Sequence, residues 1–124
     1  MDELFSLLFD AIYNFFVPDR KLTGDIGRLL ASGQYEQCAF YIKTANKKKL
    51  KREFNYIIAH AKKPGDTRAM HRYKMMNELY ELIFKEKSKY YKESLYNAAV
   101  EAETNECDKP IDGYVRELQR HFND

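Results

Sequence analysis

A chain of 124 residues has room for one modest hydrophobic core and is too short for two of ordinary size, so we expect a single domain over residues 1–124. Hydrophobic residues make up 44% of the sequence, charged residues 32% and aromatic residues 15%, which is typical of a folded globular protein and excludes a disordered tail. The net charge is only +2. With 10 tyrosines, 8 phenylalanines and no Trp, the core should be rich in tyrosine and phenylalanine.

The first 17 residues are the most apolar stretch, and their spacing predicts an amphipathic helix over 1–17 that Pro18 ends. Acidic residues interrupt the stretch, and a basic start, a cleavage site and about 20 unbroken apolar residues are all missing. We therefore expect neither a secretory signal nor a membrane span. The protein is expected to be cytoplasmic. Since its polar face is acidic, membrane-surface binding is not expected either. The phenylalanines that a partner or a second copy could contact are Phe5, Phe9, Phe15 and Phe16.

Shorter helices are predicted next. Thr23 is expected to cap a short helix that Gly33 closes in a left-handed conformation. Helical spacing resumes near Gln34 and continues to about residue 61, with a break predicted near Asn46, because one straight helix would turn lysines onto the buried stripe. A single helix over 34–63 is the alternative.

Longer helices are predicted in the second half of the chain. The sequence Pro64-Gly65-Asp66-Thr67 is typical of a turn that ends in a helix cap. One hydrophobic phase then predicts a long helix over about 67–102, with a bend near Ser88 as a variant, followed by a polar loop over 104–109 and a C-terminal helix over 110–123. The expected fold is all-α, a single-domain irregular bundle of five or six helices with one long helix.

Charge is distributed unevenly along the chain. The net charge is −3 over residues 1–42, +9 over the basic segment 43–74, and −4 over residues 75–124. Three consecutive lysines would occupy the first turn of the helix after Asn46, where they oppose the helix dipole, so local helix stability does not explain them. A phosphate group at that position would meet ammonium groups and free backbone N–H donors together.

The basic segment therefore predicts a non-enzymatic binding or regulatory protein that contacts nucleic-acid phosphates or a nucleoprotein. No base-reading motif is present, so contacts should be mainly with the backbone and should depend strongly on salt. The candidate nucleic-acid-binding residues are Lys47, Lys48, Lys49, Lys51, Arg52, Lys62, Lys63, Arg68 and Arg72. Lys74 could extend the same patch, and Tyr56 or Tyr73 could offer stacking surfaces.

A different class of function fits the same sequence. A protein-interaction module such as an inhibitor, immunity protein or adaptor could dock through the apolar N-terminal helix or through a charge-polarised surface. Solvated lysines with no partner are the simplest alternative to both.

Little in the sequence indicates catalysis. Cys38 and Cys107 lack zinc-site spacing and are expected to be free thiols, and no metal, cofactor or small-molecule substrate is expected. Arg116 and His121, within RELQRHF, form an R-x4-H string that resembles the motif of the helical ribonucleases called HEPN domains. The resemblance covers six residues and implies RNA cleavage by the Arg and His at a dimer interface. Glu117 departs from the small polar residue that is common after the Arg in that family.

Overall fold

The computed structural model describes residues 21–61, 65–106 and 111–123, and no strand occurs within them. The helices in these ranges are α1 (Lys21–Ala31), α2 (Tyr35–Thr44), α3 (Lys47–His60), α4 (Thr67–Phe84), α5 (Glu93–Glu106) and α6 (Ile111–Asn123). The predicted all-α bundle is confirmed. The helix predicted over 1–17, with its four phenylalanines, lies outside the described residues.

Helix α1 ends as predicted but does not begin as predicted. At its end the N–H of Gln34 donates to the carbonyl of Leu29 at 2.9 Å and the N–H of Gly33 donates to that of Leu30 at 3.1 Å. Gly33 has a φ of 74°, the left-handed conformation that this double closure uses. Thr23, expected as a cap, instead lies buried inside α1.

The break between α2 and α3 is confirmed. Ala45 is extended, and the side chain of Asn46 accepts a hydrogen bond from the backbone N–H of Lys49 at 3.0 Å, which caps α3. The turn before α4 ends in the same way, because the Asp66 carboxylate accepts from the N–H of Ala69 at 3.1 Å. Pro64, at the start of that turn, lies outside the described residues.

The long helix predicted over about 67–102 is wrong. Helix α4 ends at Phe84, Lys85 adopts a φ of 60°, and α5 begins only at Glu93. We call residues 85–92 the linker. The loop predicted over 104–109 is also wrong in part, since α5 continues to Glu106.

Contacts with distant residues explain the interruption. The hydroxyl of Ser88 donates to Asn55 Oδ1 in α3 at 2.7 Å. The phenol of Tyr73 accepts from the backbone N–H of Lys92 at 2.7 Å and donates to the carbonyl of Tyr90 at 3.0 Å. These bonds satisfy backbone and side-chain polar groups of the linker. A continuous helix would direct the same groups elsewhere.

Helix α4 is the centre of the bundle and contacts α3, α5 and α6, while α2 packs between α1 and α6. Phe54 and Tyr73 are fully buried, as an aromatic core requires, but isoleucine, leucine and methionine supply most of the other large buried side chains. These are Ile26, Leu30, Ile42, Leu50, Ile57, Ile58, Met70, Met75 and Met76. Within the described ranges, the core therefore combines a few aromatic rings with a larger number of aliphatic side chains.

Cys38 lies within this core as a free thiol, which confirms that part of the cysteine prediction. Burial raises the pKa of the Cys38 thiol to about 12, so the thiol stays protonated at neutral pH. The side chain of Cys107 lies outside the described residues. In the part of the chain that the structure describes, no helix combines the length and apolar character needed to cross a membrane.

Candidate functional site

The lysines of the basic segment differ in how far the fold leaves them available to an anion. The Lys47 ammonium folds back onto the C-terminus of α2, where it donates to the carbonyls of Ile42, Lys43 (3.0 Å) and Ala45 (3.1 Å). A cation at a helix C-terminus is favourable. Contrary to the sequence-based argument, local helix stability does account for Lys47.

Lys43 has a similar role at another helix end. Its ammonium donates to the carbonyl of His121 in the last turn of α6 at 3.3 Å, and it lies 5.6 Å from the ring centroid of Phe122. Lys43 therefore forms a contact between α2 and α6.

Two further lysines are paired with carboxylates. Lys51 forms an ion pair with Glu86 of the linker, and this hydrogen bond raises the pKa of Lys51. Lys74 is 2% exposed and its ammonium lies 3.0 Å from Glu78 Oε1. Acidic residues from the C-terminal part of the sequence thus neutralise part of the basic segment.

Three exposed cations of α3, namely Lys48, Lys49 and Arg52, have no such partner among the described residues. At about 100° per residue they fall within an arc of about 100° around the helix, and Tyr56 falls within the same arc. Tyr56 is 41% exposed, and its ring stacks on His60 with centroids 4.1 Å apart. We call Lys48, Lys49, Arg52 and Tyr56 the α3 surface.

The acidic residue of α3 is hydrogen-bonded to a neighbouring helix. Glu53 Oε1 accepts hydrogen bonds from the backbone N–H and the hydroxyl of Thr23 in α1, at 3.0 and 3.2 Å. The side chains of Lys48, Lys49 and Arg52 form no hydrogen bond or ion pair with any residue that the structure describes. The α3 surface therefore keeps its positive charge.

Of the other predicted site residues, Arg68 is exposed in the first turn of α4 and Arg72 is partly buried one turn later. Burial lowers the pKa of Arg72, the charge of Arg68 adds to this effect, and Asp66 opposes it. Lys62 and Lys63 lie outside the described residues.

A second group of exposed lysines lies in the linker, outside the predicted basic segment. The linker places Lys87 and Lys89 on either side of Ser88, which is bonded to α3, and all four linker lysines are exposed. The net charge over residues 75–124 is −4, so this region looked acidic as a whole and the local group of lysines was not apparent. A shorter window would have shown four lysines and one glutamate within residues 85–92.

Arg116 and His121 contact different parts of the molecule. Arg116 lines a groove with Glu78 and Tyr96, between α4, α5 and α6. The His121 ring instead lies parallel to that of Tyr35 in α2, with centroids 6.4 Å apart. The two residues of the R-x4-H string do not meet in one site within this chain.

Among residues 21–61, 65–106 and 111–123, no three His, Cys, Asp or Glu side chains group to form a metal site. No protein-family model, no curated protein and no solved structure matches this chain.

Proposed function

We propose that this protein is a small non-enzymatic binding protein that contacts nucleic-acid phosphates through the α3 surface. The observation that carries the proposal is the exposure of Lys48, Lys49 and Arg52 on one face of one helix, while the carboxylate of Glu53 is hydrogen-bonded to Thr23 of α1. Three cations in one small area attract a polyanion more strongly than they attract a single anion.

The chemistry of these side chains suits phosphate. Arg52 has the planar guanidinium that can donate two parallel hydrogen bonds to one phosphate, while the lysines act as mobile point charges. Lys48 and Arg52 are separated by about 6 Å along the helix axis, a length over which one strand carries roughly two phosphates. Contacts of this kind position a nucleic acid without reading its bases.

A fluorescence-anisotropy titration with labelled RNA and DNA at low salt tests the proposal. Replacing Lys48, Lys49 and Arg52 together with alanine should weaken binding roughly tenfold to hundredfold, because up to three charge contacts of about 1 kcal/mol each are lost. The α3 surface is exposed, so the variant should keep its helical circular dichroism spectrum.

The matched control removes the same number of cations elsewhere, by replacing Arg28, Arg116 and Arg120 with alanine. Arg28 pairs with Asp25 at 2.9 Å and Arg120 with Glu117 at 3.1 Å, so these two arginines offer less free charge. All three arginines lie outside α3 and the linker. The control should bind nearly as well as the wild type. An equal loss in both variants, or no binding by the wild type at low salt, contradicts the proposal.

An acidic protein could meet the same cations, which keeps the protein-interaction module as the second candidate. Exposure of Phe40, at 68%, favours it, because an apolar ring on α2 gives a partner an uncharged contact as well. Polyglutamate that binds the wild type under conditions where RNA and DNA do not would favour this candidate.

A further inference from the structure

The linker runs beside α3. Lys51 is paired with Glu86 of the linker, and Asn55, one helical turn further along α3, accepts the hydrogen bond from Ser88. The linker therefore follows α3 in the same chain direction for about one turn.

Successive side chains at residues 86–89 of the linker face α3 and solvent in turn. Glu86 and Ser88 contact α3, whereas Lys87 and Lys89 are exposed. The Lys87 ammonium lies 3.9 Å from Glu81 Oε2 with both side chains more than half exposed, a pair that water and salt screen. Lys51 neutralises Glu86, so the charge that the linker presents outward is positive.

The lysines of the linker adjoin the α3 surface. Lys48 precedes Lys51 by three residues, which places it about 60° around the helix from the line of contact with the linker, and Arg52 follows at about 100°. The linker is therefore a neighbour of the α3 surface, although nearly 40 residues separate them in sequence, and we call the exposed cations of the two elements the basic strip.

Aromatic rings accompany this strip on both sides. Tyr91 is partly exposed, its ring centroid lies 5.6 Å from that of Tyr96, and the Lys87 ammonium lies 4.2 Å from it. Tyr56 is on the α3 side. The two bonds of the Tyr73 phenol hold the linker backbone at Tyr90 and Lys92, on either side of Tyr91.

We propose that the linker and the α3 surface together bind single-stranded nucleic acid, with phosphates on Lys48, Arg52 and Lys89 and unpaired bases stacked on Tyr56 and Tyr91. This inference rests on the proposed function and adds its substrate class. Base stacking on aromatic side chains requires bases that are not already stacked in a duplex, and a basic strip with flanking aromatic rings is typical of single-strand binding.

The test compares a labelled RNA strand with the duplex of the same sequence, by anisotropy at one low salt concentration. The wild type should bind the single strand more tightly. Tyr91→Ala should weaken single-strand binding about tenfold and leave duplex binding unchanged, whereas Tyr91→Phe, which keeps the ring, should bind both as the wild type does. Circular dichroism and thermal unfolding establish that each variant folds.

A second variant keeps the inference testable if Tyr91→Ala does not fold. Replacing both Lys89 and Lys92 with alanine changes exposed side chains only and should weaken single-strand binding severalfold. If Lys89 and Lys92 can both be replaced without loss while the α3 variant binds poorly, the inference is overturned and the proposed function stands. Duplex binding as tight as single-strand binding overturns it too. A wild type that binds no nucleic acid overturns both proposals.

Discussion

Replacing Glu78 with leucine is expected to lower the free energy of unfolding by about 3–5 kcal/mol. The substitution removes the carboxylate that the Lys74 ammonium contacts at 3.0 Å, at a position where the lysine is only 2% exposed. It also removes the acceptor of the Tyr96 phenol, which donates to Glu78 Oε1 at 2.7 Å. Urea unfolding followed by circular dichroism measures the loss, which is large against a total of about 5–15 kcal/mol for an ordinary domain.

The matched control replaces both charges, as Lys74→Met together with Glu78→Leu. This double variant should recover most of the lost stability, because no ion remains to be buried. A single variant as stable as the wild type, or a double variant no better than the single one, would show that the ion pair does not govern the stability of α4.

Replacing Phe54 with alanine is expected to cost a similar amount, about 3–5 kcal/mol. Phe54 is fully buried, and its ring meets Phe84 of α4 edge to face, with centroids 6.4 Å apart and planes at 82°. It lies on the side of α3 away from Arg52, so it anchors the helix that carries the α3 surface. Chemical unfolding gives the magnitude, and nucleic-acid binding of the variant under stabilising conditions shows whether α3 keeps its position.

Two substitutions bracket this prediction. Phe54→Leu keeps most of the buried volume and should cost about 1–2 kcal/mol. Tyr56→Ala changes the exposed face of the same helix and should have a small effect on unfolding. Should Phe54→Ala unfold at the same urea concentration as Tyr56→Ala, the packing of α3 described above would be wrong.

The sequence predicted the features that local chemistry determines. Gly33, Asn46 and Asp66 each mark a helix end because their own backbone or side chain satisfies groups within a few residues. Helical periodicity then assigned most of the inward-facing positions, and with them the all-α class.

For the break after Phe84, the sequence indicated no more than a possible bend near Ser88. The linker contains no proline or glycine, and the hydrophobic phase continues through it. Its bonds with Asn55 and Tyr73 join residues 33 and 17 to 19 positions apart, which a periodicity argument does not consider.

Lysine partners were equally hidden. A count of charges treats Lys47, Lys48 and Lys51 alike. In the fold, Lys47 binds the carbonyls at the end of α2 and Lys51 pairs with a carboxylate 35 residues away, whereas Lys48 stays exposed. Side chains this long reach partners that the sequence does not place nearby. The candidate site therefore combines part of the predicted basic segment with linker lysines that the regional charge concealed.

Salt dependence tests the central claim most directly, because it measures how many phosphates the protein contacts. The logarithm of the association constant for single-stranded RNA should fall linearly with the logarithm of salt concentration, and each neutralised phosphate contributes about 0.7 to the slope. Replacing Lys48, Lys49 and Arg52 with alanine should reduce the slope by about 1.4 for the loss of the Lys48 and Arg52 contacts, and by about 2 if Lys49 also contacts a phosphate. An unchanged slope in that variant would contradict phosphate binding by the α3 surface.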